Sequence, residues 1–114
     1  MTTKPNADEV PFKERTFKIF DSRQIIGVEA GYGGVFRGLY LGPQVKKMKE
    51  RQLAQEILNV AKVASARGRL CMREEMVATA AAADQHVNSS TFELLPGVPT
   101  AEEYETLRRE LLNY

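Results

Sequence analysis

Tryptophan is absent from the chain, and cysteine and histidine each occur once, as Cys71 and His86. A single cysteine excludes an intrachain disulfide. A lone thiol in an apolar stretch fits a reducing compartment and a small buried hydrophobe. A single histidine excludes a paired-histidine metal site, and no cysteine lies near it in sequence. On one continuous helix, Cys71 and His86 stand ~22 Å apart at 1.5 Å rise per residue, too far for a thiol and its base. No run reaches the ~18 consecutive apolar residues that a membrane span needs. The opening MTTKPNADEVPFKER lacks an apolar core and does not read as a secretory signal. The chain is therefore expected to be soluble and cytoplasmic.

Charge of one sign is also scarce. Sixteen basic and fifteen acidic side chains leave a formal net charge of +1. That balance gives no strong bulk attraction to nucleic acid or to an anionic membrane. The 114 residues suffice for one domain with a modest core, and 43% apolar with 27% charged residues is ordinary globular usage.

What is present reads as an α+β order. Residues 1–15, with Pro5 and Pro11, read as a flexible arm, and 16–114 as a single domain. Three strands are predicted at about 16–20, 25–30 and 35–41. TFKIF alternates, and IIGVEA places Ile26, Val28 and Ala30 on one face. The polar DSRQ and the glycine-rich GYGG supply the turns. Connections this short require an antiparallel meander, since a parallel crossover needs a dozen or more residues. A long helix is expected over about 45–87, because Leu53, Ile57, Val60 and Ala64 recur at helical spacing, followed by Met72, Met76 and Ala80. Gly68 lies inside it, where glycine costs ~1 kcal/mol relative to alanine, which leaves two readings open, one continuous helix or two pieces that meet there. A last helix over 101–112 follows the T-x-x-E capping box of Thr100 and Glu103 and carries Tyr104, Leu107 and Leu111 on one stripe.

No catalytic, cofactor or metal site emerges. GYGGVFRGLYLG matches neither G-x-G-x-x-G nor G-x-x-x-x-G-K-[ST], and no helix N-terminus follows it directly. Glu74-Glu75 and Glu102-Glu103 are helix neighbours pointing about 100° apart and read as solvated faces. The third strand is the more informative feature. Val35, Leu39 and Leu41 alternate with Phe36 and Tyr40, so both of its faces are apolar. Apolarity on two sides predicts burial on two sides, and one helical layer covers one side. These five residues are the candidate dimer interface, with a second copy covering the sheet and removing its exposed edge. Met72 and Met76 are candidate partner contacts, because methionine surfaces repack easily; packing on the C-terminal helix explains them equally well. Lys46, Lys47, Lys49 and Arg51 cluster at the start of the long helix, where positive charge opposes the helix dipole, and are candidates for an acidic partner.

The stretch Arg51–Ala66 has the pattern Q-L-A-x-E-I-L-x-x-A-x-x-A, held by Gln52, Leu53, Ala54, Glu56, Ile57, Leu58, Ala61 and Ala64. With Gly34, Phe36, Leu39 and Leu41 in the preceding strand and the segment Val98–Glu103, it resembles the EspD/EspH family of mycobacterial type VII (ESX) secretion-associated proteins. That family in turn resembles the YbaB/EbfC fold, a small α+β unit that dimerises through its sheet. The resemblance implies a non-enzymatic chaperone or adaptor for secreted ESX substrates, working as a homodimer on a helical protein partner. The alternative it implies is a YbaB-like nucleoid-associated DNA-binding protein. Without tryptophan the chain carries no W-x-G motif, and it shows no Y-x-x-x-[DE] signal, so it does not resemble an ESX substrate itself.

Overall fold

The structure, a computed structural model, describes residues 10–83 and 97–114. His86, the last four residues of the expected long helix and the first nine of the expected arm lie outside them. The strands are β1 (Thr16–Phe20), β2 (Ile26–Gly31) and β3 (Phe36–Leu41), and the helices are α1 (Glu50–Ala82) and α2 (Ala101–Leu112). The α+β meander expected from the sequence is present, as one antiparallel sheet of order β1-β2-β3 with β3 at an edge.

Each turn has a local cause. Between β1 and β2 the buried carboxylate of Asp21 accepts the N–H groups of Ile25 and Ile26, at 2.8 and 3.0 Å. Its second oxygen has no hydrogen-bond partner but faces the Arg23 guanidinium at 3.5 Å. Gln24 takes the left-handed conformation that closes the loop (φ 59°). Between β2 and β3 the chain makes a 3₁₀ turn over Tyr32–Gly34, with Gly33 and Gly34 at φ 74° and 89°, a region that only glycine enters without strain. A register shift at Glu29/Ala30 then brings Phe36 opposite Ala30, in the helix-facing row, and leaves Arg37 as the extra residue. The strict alternation expected for 35–41 is therefore broken at its start.

Three features of the expected long helix are revised or resolved. It begins at Glu50 rather than near 45, because Pro43 opens a separate 3₁₀ turn over Pro43–Lys47 and the chain is extended at Met48 and Lys49. Lys46, Lys47 and Lys49 thus precede the helix instead of riding on it. The described helix ends at Ala82, with Ala83 as its C-cap. Most informatively, α1 runs unbroken through Gly68. A Cβ built at Gly68 would lie 2.1 Å from the Gly31 carbonyl oxygen and 2.7 Å from the Gly34 nitrogen. The glycine is there to let the helix backbone touch the β2–β3 turn.

The core forms on either side of that contact. Ile26, Val28 and Ala30 of β2 are buried with Val60, Val63, Ala64, Ala66 and Leu70 of α1 and with Tyr104 and Leu112 of α2. α2 starts on the expected capping box, with the Thr100 hydroxyl accepting the Glu103 N–H at 3.0 Å and the Glu103 carboxylate accepting the Thr100 N–H at 3.2 Å. It runs antiparallel to α1. Gly97, just before it, accepts a hydrogen bond from Arg69, while Leu111 and Leu112 lie beside Glu56 and Asn59. No helix among the described residues is long and apolar enough to cross a membrane.

An alanine normally strengthens a helix interior by ~1 kcal/mol over glycine. At position 68 the sign reverses, since the added methyl meets backbone that cannot swing aside. Gly68→Ala is expected to destabilise the fold by about 1–3 kcal/mol, the usual cost of overpacking, read as a lower urea midpoint at unchanged m-value.

Candidate functional site

The site is built outward from the glycine contact. Ser65, one turn before Gly68, donates its hydroxyl to the Gly34 carbonyl at 3.3 Å and accepts from the Arg69 guanidinium at 2.6 Å. Two turns beyond Gly68, the Glu75 carboxylate accepts the Tyr32 hydroxyl at 2.6 Å. That hydrogen bond, then burial and the charge of Glu75, push the Tyr32 phenol up to about 12. Toward β1, Arg67 stacks 4.1 Å from the Phe17 ring, and the Cys71 thiol points at the Phe12 carbonyl at 3.6 Å. Phe12 is half-buried there, so the last part of the expected arm is held against the domain. α1 is therefore pinned across β1, β2 and the β2–β3 turn, and it hardly touches β3.

β3 is left uncovered as a result. Its large side chains are open: Phe36 63%, Val35 57%, Tyr40 54%, Leu39 46% and Leu41 40% exposed. These are the five residues that the sequence marks as a dimer interface. The structure brings them together on β3 and on Val35 just before it, and this edge strand has no second strand partner among the described residues. The burial expected on both faces of β3 is found on neither within a single chain.

The hydrogen-bond phase of that edge follows from its neighbour. Gly42 donates to the Ile25 carbonyl at 2.7 Å, and antiparallel pairs alternate between bonded and non-bonded positions. Tyr40 and Gly38 therefore bond inward to β2. Leu39 and Leu41 turn their N–H and C=O groups to the open edge.

Above the edge stands the flank of α1 that carries Ser65. Residues seven apart lie on one helical face, so Leu58 and Met72 share it, and Met76 follows one turn later. Leu58 is 53% exposed, and Met72 and Met76 are half-buried outside the core cluster. Lys46, Lys47, Lys49 and Arg51 are all exposed and begin five residues after the last residue of β3, in the Pro43–Lys47 turn.

The sheet's outer face holds a second feature. Phe20 folds over Gly27 and meets Tyr40 edge-on, ring centroids 5.8 Å apart. Beside them lies a shallow depression of about 230 Å³ lined by Lys18, Glu29, Gly38 and Leu39. It is open and has no cluster of converging polar groups.

Elsewhere the chemistry is quiet. Burial, joined by the charge of Glu74, pushes the Cys71 thiol up and disfavours its thiolate. Its distance from His86 lies outside the described residues. Among the described residues there is no group of three or more histidine, cysteine or acidic side chains placed to hold a metal ion. Sequence reasoning missed the Ser65, Tyr32 and Glu75 anchors and Leu58, although Leu58 lies seven residues before Ser65 and fourteen before Met72.

Comparison of the chain with protein-family models, with curated proteins and with solved structures gave no match.

The raised Tyr32 phenol has a pH signature. A folded-state value above the ordinary 10 means that the Tyr32–Glu75 bond stabilises the fold fully below pH 10 and loses that contribution as pH rises toward about 12. Chemical denaturation between pH 10 and 12 should show wild-type stability falling more steeply than that of Tyr32→Phe, with the two curves converging at the alkaline end.

Proposed function

We propose that the chain is a non-enzymatic protein-binding module that works as a homodimer through β3. One observation supports this above the others. Five large apolar side chains, each at least 40% exposed, sit on or just before an edge strand whose outward backbone groups are unpaired among the described residues. Natural sheets guard such edges with charge, proline or cover, and β3 carries only Arg37 for that purpose. Its exposed row extends to Leu58 of α1.

The partner class comes from the resemblance. In that reading the homodimer acts in the cytoplasm as a chaperone or adaptor for helical type VII (ESX) substrates. Co-expression with such a substrate should yield a co-eluting complex and keep the substrate soluble; an unchanged, insoluble substrate contradicts this assignment. DNA binding is the second reading, favoured by the exposed Lys46, Lys47, Lys49 and Arg51. It requires a gel shift that weakens steeply with salt.

The dimer has its own test. Light scattering should return twice the 12.8 kDa chain mass for wild type at micromolar concentration. Leu39→Lys should return the single chain mass with an unchanged helical circular-dichroism spectrum. A monomeric wild type removes the proposal.

A further inference from the structure

Resting on the homodimer just proposed, we infer that two copies joined at β3 form an apolar groove that binds one amphipathic helix with acidic ends. The register follows from the edge itself. Leu39 and Leu41 present their backbone groups outward, so bonded pairs across the two-fold axis join residues of that set. Centring the pair on Leu39 sets each Leu39 against its copy and each Arg37 against Leu41. It also keeps the two Arg37 residues four strand positions apart, about 13 Å at ~3.3 Å per residue. Centring it on Leu41 would set Leu39 against Pro43, which has no N–H to give.

Antiparallel pairing about a two-fold axis keeps both α1 helices on the same face of the six-stranded sheet. Because α1 lies over β1 and β2, the two β3 strands between the helices stay bare. Their combined width is about 10 Å at 4.7–4.9 Å per strand, and an α-helix with its side chains is about 10–12 Å across. The floor is Phe36, Leu39 and Leu41, the row that pairs with the helix-facing residues Ala30, Val28 and Ile26. The walls are the two flanks that carry Leu58. The floor is about 20 Å long for six residues, matching a helix of about 13 residues.

Charge selects the occupant. Lys46, Lys47, Lys49 and Arg51 follow the end of β3, so antiparallel pairing places one exposed basic cluster at each end of the groove. A helix with a leucine stripe in its middle turns and glutamates at both ends is complementary to floor and rim together. The two-fold symmetry makes the stoichiometry one helix per two chains.

The probe is a labelled 18-residue peptide, a leucine-striped helix with two glutamates at each end, titrated by fluorescence anisotropy with light scattering on the same samples. The expected result is saturable binding at one peptide per two chains. Leu58→Lys, outside the strand seam, should weaken it by about tenfold or more while the protein stays dimeric. Reversing Lys46 and Lys47 to glutamate should weaken it too, and a peptide with lysines at both ends should bind less well. An intact dimer that ignores the peptide, binds one per chain, or binds equally after Leu58→Lys overturns the groove and leaves the dimer standing. A duplex oligonucleotide that outcompetes the peptide at the same salt overturns the choice of occupant. A wild-type monomer overturns the dimer itself.

Discussion

The contact between the backbone of Gly68 and the Gly31 carbonyl decides where everything else lies. A helix that carries small residues where it crosses a turn can sink onto it, and here it sinks until backbone meets backbone. Ala61, Ala64 and Gly68 are the small residues of that stretch. Ser65, Tyr32 and Glu75 then clamp the helix at the β2–β3 turn. A helix anchored at that turn and at β1 covers two strands of three. The bare β3 is a consequence of the anchor, with no separate device needed to expose it.

This explains why the molecule divides into a quiet side and an open side. The core of β2, α1 and α2 is closed, its cysteine is buried, and its one buried carboxylate, Asp21, serves a turn. The open side gathers β3, the Leu58 flank of α1 and the cations after β3. Such a surface offers hydrophobic area, strand backbone groups unpaired among the described residues and a charged rim, three components of a specific interface. On the proposed reading, stability and interaction are separable in mutagenesis: substitutions near Gly68 act on folding, and substitutions at Leu39 or Leu58 act on association.

Much of the fold was legible in the residues. β1 and α2 fall where alternation and the capping box place them, because both signals are local. β2 starts one residue later than the pattern suggests, after the turn that Asp21 ties. The two-sided apolarity of β3 was also readable, since its side chains declare it. What escaped was long-range. Gly68 reads as a weak point in a helix, because propensity is a property of the isolated segment, and only the turn thirty-four residues earlier gives it a purpose. The bulge that moves Phe36 to the helix-facing row depends on how β3 meets β2. The early helix start was misplaced because Pro43 permits a 3₁₀ turn as readily as a first helical turn. The flank shared by Leu58 and Met72 needed Ser65 to show which way it faces.

The central claim is that the outward amides of β3 are paired by a second copy. Residue-resolved hydrogen exchange reads it directly at Leu39 and Leu41. The account predicts that both amides are protected at high protein concentration and lose protection on dilution, while Tyr40, bonded inward to β2, stays protected throughout. Fast exchange at Leu39 and Leu41 at every concentration, beside a protected Tyr40, would contradict it.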